Sequence, residues 1–138
     1  MVDIAHLLTV TGSIIMGCGL TALGLCCLVA PGFAAEAYGI PIGPQDAVAR
    51  SWVEVAGVRD FGLGVATLAV FFTAPRAMRT YAPSLMLIAG GDALVTYRSG
   101  GSFVGVATHL GGTACIAVLT VAAWLDAQLD APPGKKKK

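Results

Sequence analysis

Residues 4–31 read IAHLLTVTGSIIMGCGLTALGLCCLVAP, and this stretch decides the fold class. It carries no charge apart from the titratable His6. A helix needs roughly 20 mainly apolar residues to cross a bilayer, and this run is longer. A signal peptide's apolar region covers only about 7–15 residues behind a basic segment, so the run reads as a retained first span. A second run, from Ser99 to Leu125, is free of charge except at His109.

Outward from these two runs, the middle of the chain holds two further apolar segments interrupted by charges. The 138 residues are 56% hydrophobic and only 12% charged, with a mean hydropathy of +0.77. A soluble bundle needs a polar face on each helix, and these segments are apolar nearly all round. The expectation is a single all-α domain over residues 1–138, a polytopic membrane protein built as a bundle of four transmembrane helices. The helices are predicted at about 4–30, 46–73, 77–97 and 102–127. A net charge of +1 provides no basic footprint for nucleic acid.

Punctuation sets the ends. Pro31-Gly32 stops the first helix, and the run Gly39-Ile40-Pro41-Ile42-Gly43-Pro44 cannot continue one, because Pro lacks the donor and Gly loosens the backbone. Between them, residues 33–38 suit a short interfacial helix. Asp46 places an acid at the start of the second span, where the helix dipole favours it. Pro83 predicts either a kink or a start near Ser84 for the third, and Ser102 is the natural N-cap of the fourth.

Arg76 and Arg79 flank one connection and Lys135 to Lys138 close the sequence. The positive-inside rule then puts that connection and both termini on the cytoplasmic side. Lys135 and Lys136 also match the two positions of a dilysine retrieval signal, which implies the endoplasmic reticulum. A basic tail resting on anionic lipid, or lysines that are not native to the protein, would account for them equally well.

Glu54, Arg59, Asp60 and Asp92 interrupt the apolar segments, and His109 joins them. Ionisable groups at bilayer depth usually mark a pathway or reaction site. At about 1.5 Å per residue, Glu54, Asp92 and His109 each lie roughly 10 Å below the luminal surface, with Arg59 and Asp60 deeper. On a helical projection Arg50, Val53, Glu54, Gly57, Asp60, Phe61 and Gly64 share one stripe, while Arg59 points off its centre toward another neighbour. Such carboxyls can be held in opposite protonation states, one taking a proton and one giving it. Arg50, Trp52 and Tyr97 are the candidates for substrate contact, although Trp52, Tyr97 and Tyr81 also suit an aromatic belt. Cys18, Cys26, Cys27 and Cys115 contain no Cys-x-x-Cys pair and read as small core residues. His6 and His109 fall at opposite sides, so no metal site and no cofactor is expected.

The stretch Trp52 to Gly64, centred on Gly57-Val58-Arg59-Asp60, together with Pro31-Gly32, Asp92 and His109, carries a resemblance. It resembles a family of small fungal four-helix membrane proteins, some encoded beside polyketide pathways, that includes integral-membrane epoxide hydrolases of the aurovertin type. The resemblance implies epoxide opening on a lipophilic polyketide, by water or an internal hydroxyl. The chemistry needs an acid for the epoxide oxygen and a base for the nucleophile: Asp60 or Asp92 as base, Glu54 as acid, and Arg59 as the orienting charge. Three rivals stand beside it: a sterol-isomerase-like proton shuttle, a proton-coupled transporter, and a purely structural membrane partner whose acids tolerate replacement. Four short helices enclose little space, which favours a homodimer for the transporter.

Overall fold

The computed structural model describes residues 4–129. Their order is α1 (Ile4–Val29), α2 (Pro31–Ala37), α3 (Ala47–Thr73), α4 (Met78–Arg98) and α5 (Phe103–Leu129), with a 3-10 turn at Pro75–Ala77 leading into α4. The described chain is all-helical, and the four long helices end within about two residues of their sequence expectation, the usual spread of helix boundaries. Local chemistry explains this. Pro31 opens α2, where its missing N–H is one of the helix's orphan donors anyway. Asp46 accepts from the Ala49 N–H at 2.9 Å, and Ser102 Oγ accepts from the Gly105 N–H at 3.0 Å, so both act as N-caps. Pro83 lies early within α4 without displacing its start. The basic tail, residues 135–138, lies outside the described residues.

Three helices, α1, α3 and α5, are long and apolar enough to cross a membrane, which indicates an integral membrane protein. The fourth long helix, α4, carries Arg79, Asp92 and Arg98 and is not among them. The surface is inverted relative to a water-soluble domain. Large apolar side chains face outward (Ile15 is 72% exposed and Phe103 85%), while Thr9, Ser13, Asp60, Thr67 and Thr96 are buried. Two of the buried hydroxyls bond within their own helices, Thr9 to the Ala5 carbonyl at 2.9 Å and Thr67 to that of Leu63 at 2.7 Å, while the buried Ser13 Oγ has no hydrogen-bond partner. A medium without water favours such internal satisfaction. Cys27 is buried as expected for a small core residue, whereas Cys18 and Cys115 face outward.

Helices α1 and α3 pack antiparallel along a seam of four glycines. A Cβ on Gly24 would sit 2.3 Å from the Phe61 nitrogen and 2.6 Å from the Gly57 carbonyl oxygen. One on Gly64 would sit 2.4 Å from the Thr21 nitrogen and 2.7 Å from the Gly17 carbonyl oxygen. The two backbones therefore touch, as small residues permit in membranes. This contact fixes the rotation of α3. Asp60, between Gly57 and Gly64, becomes 3% exposed, and its neighbour Arg59 turns toward α4.

Helices α4 and α5 form the other pair, around Met78, Ala82, Leu85, Ile116, Leu119 and Ala123. Helix α1 also packs on α5. Helix α3 meets α4 through long side chains: the Tyr81 hydroxyl donates to the Leu63 carbonyl at 3.2 Å and lies 3.2 Å from Thr67 Oγ1. Holding two helices apart on long side chains leaves room between them, and the site occupies that room.

Candidate functional site

The loop after α2 delivers the residue that completes the site. Tyr38 ends α2, its N–H donating to the Ala34 carbonyl at 2.9 Å. Gly39 then reverses the chain with φ +82, and a Cβ there would lie 2.6 Å from the Gly105 Cα. Only glycine meets both demands without strain. The Gly39 carbonyl accepts from the Ser102 N–H at 2.8 Å, which pins this loop to the start of α5. Tyr38 is thereby placed against both α3 and α5. Its hydroxyl donates to Asp60 Oδ2, and Cys27 Sγ donates to that hydroxyl at 3.8 Å. Its ring stacks on His109 with centroids 5.5 Å apart and an interplanar angle of 17°. Burial, and then the adjacent Asp60 carboxylate, push the Tyr38 hydroxyl above its ordinary range, so it stays a proton donor.

Arg59 is the hub. Its Nε donates to Asp60 Oδ1 at 2.9 Å, and its two terminal nitrogens donate to the two Asp92 oxygens at 3.1 and 2.9 Å. The planar fork suits this bidentate grip. One guanidinium therefore joins two carboxylates from two helices. With both carboxylates ionised the trio carries one net negative charge; with one proton shared it is neutral.

Two cavities meet at this cluster. The inner one, about 250 Å³, lies among α1, α3, α4 and α5, and Asp60 lines it. The outer one, about 370 Å³, lies between the α2–α3 loop, α3 and α4, with Arg59 and Trp52 in its wall. Tyr38, Asp92 and His109 line both, so these three form the partition. His109 Nε2 is buried and has no hydrogen-bond partner. A buried polar atom left open costs free energy, and at a cavity wall it can be satisfied by a ligand.

The sequence candidates separate accordingly. Arg59, Asp60, Asp92 and His109 come together. Glu54 lines neither cavity, nor do Arg50 and Tyr97; Arg50 is exposed and Tyr97 is 72% exposed. Tyr38 was not among the candidates, because its partners Asp60 and His109 lie far along the chain. Among the described residues, no group of three or more His, Cys, Asp or Glu is arranged to hold a metal ion.

A family model described as a domain of unknown function, DUF4267, matches residues 17–125. The chain belongs to the DUF4267 family. The matched stretch contains the glycine seam, Tyr38 and the whole Arg59–Asp60–Asp92 cluster. No curated protein and no solved structure matches the chain.

Proposed function

We propose that this DUF4267 protein is a membrane-embedded hydrolase that opens epoxides in lipophilic substrates by carboxylate acid–base catalysis. The observation that carries this is the Asp60–Arg59–Asp92 bridge, set at a partition between two cavities. Hydrolysis of an epoxide needs one group to accept a proton from water and one to donate a proton to the ring oxygen. Asp92, gripped through both oxygens by Arg59 and lining both cavities, is the base. The acid is Asp60 acting through Tyr38, whose hydroxyl bonds it and lines both cavities. The acid role expected of Glu54 passes to this pair, because Glu54 lines neither cavity.

In the step, the water oxygen bonds an epoxide carbon and its proton moves to Asp92. The step starts from the state in which Asp60 carries the proton shared with Asp92 and donates it to the Tyr38 hydroxyl, the reverse of the Tyr38-to-Asp60 bond described above. The carbon–oxygen bond of the ring breaks, the oxygen takes the Tyr38 proton, and the Asp60 proton replaces it. A proton then returns from Asp92 to Asp60, so no oxidant or co-reactant is consumed. His109 Nε2 holds the substrate oxygen or the water. No cofactor or metal enters.

The proposal includes α4 as a fourth span. It packs along α5, its Leu87 is 79% exposed, and its one mid-helix charge is covered by Arg59. Both termini then share the cytoplasmic side, with the site toward the lumen of the endoplasmic reticulum. The test is purified protein in lipid nanodiscs, given a lipophilic epoxide in heavy-oxygen water. Labelled diol that disappears with Asp60→Asn and with Asp92→Asn is expected; full turnover in both variants overturns the assignment. Unlabelled rearranged product would instead favour proton-shuttle isomerisation. The two cavities meeting at titratable residues also favour a second reading, proton-coupled transport, which predicts substrate flux driven by a pH gradient in proteoliposomes.

A further inference from the structure

Away from the polar partition, the inner cavity has aliphatic walls: Leu20 and Leu23 from α1, Leu63 from α3, Ile88 from α4. The bundle core closes one end, since Leu85 and Ile116 belong both to the cavity lining and to the buried cluster. One wall position lacks a side chain. Gly112 lines the cavity, and a Cβ there would meet nothing within 4 Å. The seam glycines are required by touching backbones. Gly112 is not, so close packing does not account for it.

We propose that this chamber holds an unbranched apolar arm of the substrate and that Gly112 sets the length of that arm. The nature of the group at the partition rests on the epoxide-opening proposal; the arm does not. An apolar cavity of about 150 Å³ holds a benzene ring, so by proportion this one holds an arm of roughly ten carbons. Within a bilayer the arm gains little by leaving lipid tails that are equally apolar. Selection is therefore by fit. A short arm leaves a void that forfeits dispersion contacts, and a long one overpacks the core. Binding should show an optimum in chain length rather than a steady rise.

The experiment uses the full chain in nanodiscs with straight-chain primary amides shorter and longer than the predicted arm, each at equal mole fraction in the lipid. An amide head can hydrogen-bond at the partition and has no ring to open. The shift in melting temperature is read for each. For the native chain the largest shift is expected near the predicted length. Gly112→Leu moves the optimum to shorter arms by about the reach of the added side chain, and Leu63→Ala moves it to longer ones. Should Gly112→Leu fail to fold, Gly112→Ala moves it in the same direction by less. Shifts that climb steadily with length, or an optimum unmoved by the substitutions, overturn the proposal. Parallel turnover assays separate the two ideas. A moving optimum without turnover of any epoxide retains the chamber and overturns the catalytic reading. Turnover with an unmoved optimum does the reverse.

Discussion

The grip of Arg59 on Asp92 can be measured with a double-mutant cycle of Arg59→Gln, Asp92→Asn and the pair. Two parallel N–H donors reach Asp92 at 3.1 and 2.9 Å. A hydrogen bond to a charged group contributes about 1.5–3 kcal/mol. The side chains are 37% and 27% exposed, and exposure weakens ion pairs, so the coupling for the whole pair is set at about 2 kcal/mol. The single costs should be unequal. Asp92→Asn leaves Arg59 still paired with Asp60, and costs about that coupling. Arg59→Gln also strips the Nε donor from Asp60, whose side chain is only 4% exposed. With Asp60 ionised in the folded protein without substrate, this leaves an uncompensated buried charge, which costs about 3–5 kcal/mol. The double variant should then be little worse than Arg59→Gln alone. Unfolding titrations in mixed micelles read all four corners. Additivity within about 0.5 kcal/mol, as expected for independent sites, would refute the bidentate bridge and the charge arrangement built on it.

Three further outcomes follow from the same geometry. Asp60→Asn and Asp92→Asn should each lower epoxide turnover per folded protein by about 10²–10⁴, the usual worth of a positioned acid or base, while Glu54→Gln stays within severalfold; a large loss at Glu54 would return the acid role to it. Tyr38→Phe keeps the ring stacked on His109 but removes the donor to Asp60, so kcat should drop about 10²-fold with KM little changed, and an unchanged kcat would exclude the relay. Gly24→Val drives a side chain into the α3 backbone, with atoms at 2.3 and 2.6 Å, and should destabilise by at least about 1–3 kcal/mol. Gly19→Val, where a Cβ meets nothing within 4 Å, is the control, and equal melting of the two variants would argue against the seam.

The helix ends were legible because they have local causes: Pro31 at a boundary, Asp46 and Ser102 as caps. The facing of α3 was legible only in part. Projection grouped Glu54, Gly57, Asp60 and Gly64 as one stripe, and that grouping is real, but its centre is the surface on which α1 lies. A helical wheel gives angles about one axis and not the identity of the helix beyond each face. Once α1 covers the glycines, Asp60 is buried at the margin and Arg59, one residue away, is turned toward α4 and becomes the hub. Tyr38 was hidden for a different reason. Its partners Asp60 and His109 are far along the chain, and only the pinning of Gly39 to Ser102 brings them together.

A structural account of buried charge in a bilayer requires neutralisation, and one arginine neutralises one carboxylate. Here Arg59 is shared by two, from α3 and from α4. A purely structural bridge would do better with one of them replaced by an amide, because the second ionised carboxylate adds a desolvation cost that no second cation offsets. In the epoxide-opening proposal the excess carboxylate has a use: the pair shares a proton, one member serves as base and the other as acid, and Tyr38, which bonds Asp60 and lines both cavities, relays the proton. The stoichiometry of two acids to one guanidinium, more than the presence of charge, is what favours the proposed reaction centre over a strut.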